Sequence, residues 1–327
     1  MFKALVLEQS DSHAPKVSIQ QVDEAQLPEG DVRVTVDYSS LNFKDGLAIT
    51  GKGKIVRSWP MVPGIDFVGS VEQSEDPRYQ VGDKVVLTGW GVGEGHWGGM
   101  AEKAQVKGDW LVPLTDGMSE AQSMMVGTAG LTAMLCVLAL QEGDVTPESG
   151  TVLVTGASGG VGSVAVTLLA KLGYQVAALT GRVEQNAELL KELGASEVVD
   201  RATLSEPGRP LDKQRWAGAV DTVGGDILAN ILAQTNYGGT VAACGLAASF
   251  KLPSTVMPFI LRNVRLQGVD SVSCPRERRI EAWKQLQALL PESYYQSACK
   301  EVSLDEVAEQ AEAITQGQVT GRVIIKP

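Results

Sequence analysis

The chain has few residues of the kinds that bind metals or form disulfide bonds. Among 327 residues there are two histidines, His13 and His96, and four cysteines, the first of which is Cys136. The cysteines lack CxxC spacing, so the sequence indicates neither a disulfide framework nor a zinc knuckle. We therefore expect no metal site, because metal-dependent enzymes need closely set His, Cys and carboxylate ligands. We also expect a reducing, cytoplasmic environment.

An excess of positive charge and a long unbroken apolar run are also missing. The formal net charge is −11, which disfavours a nucleic-acid partner because phosphate binding needs concentrated Lys and Arg. The N-terminus lacks the basic start and apolar stretch of a secretory signal. The longest apolar run, residues 126–140, is interrupted by small and polar residues, which predicts a buried helix rather than a membrane span. We expect no membrane partner.

The length predicts two domains. The first part consists of short β-branched runs separated by Gly, Pro and Asp turns, which is typical of a compact β-barrel. From about residue 127, apolar strands alternate with helices of about ten residues, which predicts parallel βαβ units. The six predicted strands are Thr151–Thr155, Gln175–Leu179, Glu197–Val199, Ala217–Asp221, Thr240–Cys244 and Val264–Val269.

A glycine-rich segment, VLVTGASGGVG at Val152–Gly162, follows the first of these strands and opens a helix. Gly159 would let the backbone approach a pyrophosphate, and Gly162 would let the helix lie close to the strand. The helix start, with Ser158, Gly160 and Val161, would offer N–H groups to the phosphates. This context predicts a dinucleotide site. A glycine-rich turn without function is the alternative.

The end of the second strand indicates which dinucleotide binds. An NAD enzyme places a carboxylate there for the ribose hydroxyl, whereas this chain has Thr180-Gly181-Arg182. A hydroxyl and a guanidinium suit a 2′-phosphate, and Arg201 would add a second cation. The sequence therefore predicts NADPH as the cofactor. The alternative is that Arg182 caps a helix or faces solvent.

Five continuous sequence segments resemble the acrylyl-CoA reductase branch of the zinc-independent medium-chain dehydrogenase/reductase superfamily. They are SSLNFKD (39–45), ITGKGKIVR (49–57), PMVPGIDF (60–67), LTGWGVG (87–93) and MPFILRNV (257–264). The resemblance covers essentially the whole chain. It implies an α/β protein with a GroES-like β-barrel catalytic domain (1–126 and 272–327) and a doubly wound Rossmann NADP-binding domain (127–271). Zinc-dependent relatives hold a His-Glu ligand pair where this chain has Ile65-Asp66.

The resemblance implies that NADPH reduces the carbon–carbon double bond of acrylyl-CoA to give propionyl-CoA, with protonation at the α-carbon. Asn42 and Asp45 are the candidate catalytic residues: Asn42 can donate an amide N–H, and Asp45 can orient the cofactor ribose or a water. Loop-stabilising hydrogen bonds are the alternative for both. The branch usually has tyrosine at the position of Phe43. Phe43 cannot donate a proton, so we expect it to stack beside the nicotinamide while water or another group supplies the proton.

Other residues are assigned by the same resemblance. The nicotinamide half of the cofactor is expected to be bordered by Leu246, Ile260, Ser271 and Gly321, with apolar packing as the alternative for Leu246 and Ile260. A cationic cluster of Lys52, Lys54 and Arg57 is a candidate site for the CoA phosphates, with a solvated face as the alternative. Arg276, Arg278 and Arg279 form a second candidate patch. The edge strand Val264–Val269 predicts a homodimer that pairs it with its twin.

Two other functions fit the same residues. An NADPH:quinone oxidoreductase of this fold would differ only in the acceptor. A non-catalytic NADPH-binding protein would keep the glycine loop and the Thr180-Gly181-Arg182 corner without turnover.

Overall fold

The computed structural model describes residues 1–11 and 14–327, so His13 lies outside the described residues. The chain forms two compact units. The first contains residues 1–128, 271–287 and 298–327, and the second contains residues 129–270 and 288–297.

The strands of the described residues are β1 Phe2–Glu8, β2 Lys16–Val22, β3 Val32–Leu41, β4 Asp66–Ser74, β5 Lys84–Thr88, β6 Lys103–Val106, β7 Leu111–Pro113, β8 Val152–Thr155, β9 Val176–Thr180, β10 Glu197–Asp200, β11 Trp216–Asp221, β12 Thr235–Ala243, β13 Arg265–Gly268, β14 Cys299–Ser303 and β15 Arg322–Lys326. The α-helices are α1 Phe43–Thr50, α2 Glu120–Glu142, α3 Gly160–Lys171, α4 Val183–Glu192, α5 Gly225–Gln234, α6 Met257–Arg262, α7 Arg276–Leu289, α8 Glu292–Ser297 and α9 Val307–Thr315.

The first unit is built on a seven-stranded sheet. Its order is β14-β15-β3-β4-β5-β7, with β6 paired to β3, and β1 and β2 form a separate antiparallel pair. Long strand β3 carries Val32, Val34 and Val36 on its buried face, because successive side chains of a strand point to opposite faces. At its far end β3 pairs with β15, which brings the end of the chain beside Ser40.

The second unit contains a six-stranded parallel sheet in the order β10-β9-β8-β11-β12-β13. The central strands β8, β9 and β11 are buried along their whole length, as expected for parallel strands covered on both faces. The strand order reverses between β8 and β11, which is where this fold binds nucleotides. The predicted α/β class, with a doubly wound sheet, is confirmed.

The long apolar helix α2 begins earlier than the sequence predicts. Gly127 interrupts it with φ 52° and ψ −158°, a backbone conformation that only glycine adopts readily. Of the described helices, α2 is the one long and apolar enough to cross a membrane, but 89% of its apolar window is buried inside the protein. It is therefore packed as a core helix.

Candidate active site

The glycine loop of the second unit joins β8 to α3, as the sequence predicts. Gly159 is the N-cap of α3, and its N–H donates to the Gly156 carbonyl at 2.9 Å. A Cβ added at Gly162 would lie 2.2 Å from that carbonyl oxygen, so the helix can lie this close to the loop only with glycine there. The start of α3 thus offers backbone N–H groups beside partly exposed Gly160 and Val161. This geometry fits a pyrophosphate.

Residues 180–182 form a corner at the end of β9, where the guanidinium of Arg201 lies against Gly181. A Cβ at Gly181 would be 2.9 Å from Cζ of Arg201, so the guanidinium packs directly on the Gly181 backbone. The Thr180 hydroxyl is buried, lies 3.3 Å from Oγ of Ser158 and accepts the N–H of Arg182 at 3.2 Å. Arg182 itself is the N-cap residue of α4. The structure thus brings Arg201 to the corner, while the Thr180 hydroxyl joins the corner to the glycine loop.

A buried polar network in the first unit surrounds Asn42. Asp66 accepts hydrogen bonds from Oγ of Ser40 at 2.7 Å, Nδ2 of Asn42 at 2.9 Å and the Thr128 N–H at 2.5 Å. Arg322 donates to Oδ1 of Asn42 at 3.1 Å and to Oγ of Ser40 at 2.7 Å. Both ends of the Asn42 amide are therefore occupied by protein.

The carboxylate of Asp45 is likewise enclosed. Asp45 is 1% exposed and accepts three backbone N–H groups, from Asn42 at 2.9 Å, Gly64 at 3.1 Å and Ile65 at 3.0 Å. Burial, and then the negative charge of Asp66, raise the pKa of Asp45 to about 7 against the opposing effect of these N–H donors.

These contacts favour the alternative role for Asn42 and Asp45. An amide whose oxygen and nitrogen are both bonded within the protein has few hydrogen bonds left for a substrate, and a carboxylate that is 1% exposed has little surface left for a ligand. The geometry of both residues matches the loop-stabilising alternative: they fix the turn that begins α1 and carries Phe43. Phe43 is 38% exposed at this helix start.

The residues around Asn42 do not fit a zinc ion. The network contains a guanidinium, two carboxylates, an amide and a hydroxyl, without the thiolate or imidazole ligands that zinc sites use. Within the described parts of the chain, no group of three or more His, Cys, Asp or Glu side chains could hold a metal. His96 lies elsewhere, with Nε2 2.7 Å from the Gln105 carbonyl and its ring edge-on to Trp110. Burial lowers the pKa of His96, and its contacts are those of a packed side chain.

The four residues expected beside the nicotinamide lie in different surroundings. Leu246 and Ile260, in the second unit, are exposed rather than packed in the core. Ser271, in the first unit, is buried, and its carbonyl accepts a hydrogen bond from Arg279 at 3.1 Å. Gly321 has φ +69°, and a Cβ there would lie 2.0 Å from the Ala298 carbonyl oxygen, so this turn before β15 requires glycine.

Two residues of the predicted cationic cluster, Lys52 and Arg57, pair with different carboxylates in the structure. Lys52 pairs with Glu312 of α9, whereas Arg57 pairs with Glu94 at 3.3 Å. A cation that the sequence did not single out, Lys44, bonds the other oxygen of Glu94 at 2.7 Å. Lys44 lies in the segment SSLNFKD (39–45), but its partner Glu94 is 50 positions away in the sequence. No local sequence pattern connects the two residues.

Arg279 was predicted to belong to a second cationic patch that could bind a ligand, and this prediction is wrong. This side chain is 1% exposed and donates to the carbonyl of Thr88 at 2.8 Å and to that of Ser271. Its guanidinium also lies 5.3 Å from the ring centroid of Trp90. Arg279 therefore holds the segment after residue 270 inside the first unit instead of facing a ligand, because a buried cation needs such acceptors.

Two family models match the chain. The "Alcohol dehydrogenase GroES-like domain" matches residues 28–116 and "Zinc-binding dehydrogenase" matches residues 160–290. With the doubly wound sheet and its glycine loop, these matches define a dehydrogenase/reductase of the medium-chain class. The structure is similar to a crystal structure of the yhdH oxidoreductase from Salmonella enterica in complex with NADP, with TM-score 0.97, 60% identity and 99% of each chain covered.

Two curated relatives are similar over almost their whole length. The chain is 62% identical to the probable acrylyl-CoA reductase AcuI of Escherichia coli (strain K12) and 50% identical to the acrylyl-CoA reductase AcuI of Ruegeria pomeroyi, with 99% of each chain covered in both cases. The chain belongs to the acrylyl-CoA reductase branch of the medium-chain dehydrogenase/reductase superfamily, which confirms the resemblance found in the sequence.

Proposed function

We propose that this chain is an NADPH-dependent oxidoreductase that reduces the carbon–carbon double bond of acrylyl-CoA to give propionyl-CoA. The observation that carries the proposal is the full-length identity of 62% to a probable acrylyl-CoA reductase. The glycine loop and the Gly181–Arg201 corner support the cofactor assignment, as does the relative with NADP bound.

The second unit would bind the cofactor. The N–H groups of Gly160, Val161 and Gly162 would hold the pyrophosphate, and Gly159 would let the backbone approach it closely. The Ser158 hydroxyl, 3.3 Å from that of Thr180, would stabilise the loop. Arg201 and Arg182 would bind the 2′-phosphate beside Gly181. Bound NADPH supplies the hydride, so the chain's task is to position the reacting groups.

The first unit would position the thioester. Hydride addition at the β-carbon places negative charge on the thioester oxygen, which needs hydrogen-bond donors. Because Asn42 and Asp45 are bonded within the protein, we assign them to positioning of the Phe43 turn. Protonation at the α-carbon would come from water, since Phe43 carries no acidic hydrogen. Orientation of the reactants alone can contribute about 7–11 kcal/mol.

The border of the nicotinamide half would come from Leu246, Ile260, Ser271 and Gly321. The substrate candidates are Lys54 and Arg57; Lys52 was predicted with them but is bonded to Glu312.

Direct assay of purified protein tests the proposal. NADPH oxidation should require acrylyl-CoA, and mass spectrometry should find one propionyl-CoA per NADPH consumed. Faster turnover of small quinones than of acrylyl-CoA would favour the quinone reductase. NADPH binding without turnover of any α,β-unsaturated thioester would favour a non-catalytic protein.

We also propose a homodimer in the cytoplasm. The four cysteines are free thiols, which suits a reducing compartment. Strand β13 lies at the sheet edge, and the segment that precedes it in the chain carries the exposed apolar residues Phe250, Val256 and Leu261. The N–H of Val269 bonds β12, so by alternation the N–H of Gly268 faces the free edge. Light scattering should give a dimer mass, and Gly268→Pro should shift it towards the monomer.

A further inference from the structure

One carboxylate in the first unit joins two cations from distant parts of the sequence. Oε1 of Glu94 bonds Nζ of Lys44 at 2.7 Å, and Oε2 lies 3.3 Å from Nη2 of Arg57. Glu94 is largely buried, with its side chain 10% exposed. Two positive charges therefore share one negative charge, and the group keeps a net charge of +1.

The segment between Asp45 and Asp66 adds further cations to this one. Residues 46–65 contain three cations and no carboxylate, in a chain whose net charge is −11. The Arg57 side chain is 75% exposed, so most of its five N–H donors face solvent. Lys54, three positions earlier, is also exposed. Lys52 differs from these cations because Glu312 already neutralises it.

An exposed aromatic residue follows Arg57 two positions later, on a backbone held by hydrogen bonds. Trp59 is 39% exposed. The Arg57 N–H donates to the Glu94 carbonyl at 2.7 Å, and the Trp97 indole N–H donates to the Pro60 carbonyl at 2.9 Å. These bonds hold the backbone on both sides of Trp59. An exposed indole two positions from an exposed arginine offers a stacking face and phosphate donors in one short segment.

We propose that Lys44, Arg57 and Trp59, held by Glu94, bind the nucleotide end of a CoA thioester; we call these four residues the CoA clamp. Lys44 and Arg57 bind the phosphates, Trp59 stacks on the adenine, and Glu94 is a positioning residue that fixes both cations. The clamp rests on the proposed function, because it assumes that the substrate is a CoA ester. The arrangement offers a fixed cation pair, and fixed donors bind anions with less loss of side-chain entropy.

The test compares acrylyl-CoA with acrylyl-pantetheine, which has the same reactive end but no nucleotide. For acrylyl-CoA, Arg57→Gln and Lys44→Gln should each raise KM by about tenfold with kcat changed less than about twofold, since each loses one charge-assisted contact. Trp59→Leu should raise the same KM. The KM for acrylyl-pantetheine should not change in any of these variants. Lys16→Gln, which removes an exposed lysine paired with Glu8, is the matched control and should behave as wild type.

Glu94→Gln separates a fixed clamp from a diffuse charge effect. This variant makes the group more positive, so a diffuse effect would lower the KM for acrylyl-CoA. The clamp requires the opposite, a higher KM, because Lys44 and Arg57 lose their common anchor. A lower KM in this variant would overturn the proposal.

The outcomes also distinguish the clamp from the proposed function. If wild type reduces both thioesters with equal KM, the function stands and the clamp is overturned. If it reduces neither, the proposed function fails. The clamp can then still be tested by measuring the binding of free coenzyme A by calorimetry. In that case, binding weakened by Arg57→Gln and not by Lys16→Gln supports the clamp, and equal binding overturns it.

Discussion

Arg322, the first residue of the last strand, donates a hydrogen bond to Oδ1 of Asn42 over 3.1 Å. Its other terminal nitrogen bonds Oγ of Ser40 at 2.7 Å, and the side chain is 3% exposed. The end of the chain thus fixes the turn that leads into α1. Because a buried guanidinium costs free energy unless its donors are satisfied, this network holds the turn in one conformation.

Removing this cation should destabilise the protein. Arg322→Met leaves Asp66 as a buried carboxylate without the cation of its network, and we expect the free energy of unfolding to fall by roughly 3–5 kcal/mol. Urea unfolding followed by circular dichroism measures the change. Arg215→Gln, which removes an exposed arginine paired with Glu197, is the control and should cost under about 1 kcal/mol. A similar small loss for Arg322→Met would contradict the role given to the network.

The raised pKa of Asp45 should make stability depend on pH. The pKa of this carboxyl rises from 3.8 to about 7 on folding, so between these values the folded protein holds more protons than the unfolded chain. Its contribution to the free energy of unfolding is therefore greatest below pH ~4, falls as pH rises to ~7, and is level above that, with a slope of at most ~1.4 kcal/mol per pH unit. In Asp45→Asn this slope should be absent. Urea titrations of both proteins across this range measure it; parallel pH profiles would contradict the prediction.

The glycine loop should not tolerate a methyl group at Gly162. Gly162→Ala places a Cβ 2.2 Å from the Gly156 carbonyl oxygen, so α3 must move away from the loop. We expect a loss of about 1–3 kcal/mol in unfolding free energy and NADPH binding weakened by at least about tenfold. Gly95→Ala is the control, because nothing lies within 4 Å of a Cβ there. Fluorescence titration with NADPH separates the two variants, and unchanged affinity in Gly162→Ala would count against the site.

Arg201 should determine the preference for the 2′-phosphate. In Arg201→Gln the guanidinium that packs on Gly181 is lost, and we expect the KM for NADPH to rise by about 10–100-fold. The KM for NADH should stay within about twofold, since NADH lacks that phosphate. Lys191→Gln, on the exposed side of α4, controls for general loss of positive charge. Equal changes in the two KM values would exclude this role for Arg201.

A tyrosine at position 43 should leave the rate almost unchanged. The Phe43 ring is exposed at the start of α1, so a hydroxyl can be added without burying a polar group. If water protonates the α-carbon, kcat of Phe43→Tyr should stay within about twofold of wild type. Phe43→Leu is the control for loss of the ring and should raise the KM for NADPH. An increase in kcat of about tenfold or more in Phe43→Tyr would show that a side-chain acid is missing in the natural chain.

Local patterns predicted the fold because each one is set by neighbouring residues. The strand before the glycine loop, the helix after it and the edge strand near residue 265 all follow from apolar runs and turn residues. The boundaries were less accurate. Strand β12 begins at Thr235 rather than Thr240, because its pairing with β11 starts before a register irregularity.

Side-chain partners were the part that the sequence did not predict. The sequence suggests that Arg279 is one of several exposed cations. In the structure it is enclosed by carbonyl groups of residues up to 191 positions away in the sequence. Lys44 and Arg57 share Glu94, while Lys52 turns to Glu312. A charge run does not reveal which of its members already have a partner, since the partners come from other elements.

By itself, the sequence determined the α/β class, the parallel sheet, the glycine loop at 156–162 and the absence of a carboxylate after β9. Each depends on residue type at fixed spacing, which sets backbone conformation and local contacts. Only the tertiary structure decided that Asn42 and Asp45 are bonded within the protein and that Lys44 joins Arg57 through Glu94. Such roles depend on burial and on hydrogen-bond partners brought together from distant positions, and these exist only once the chain is folded.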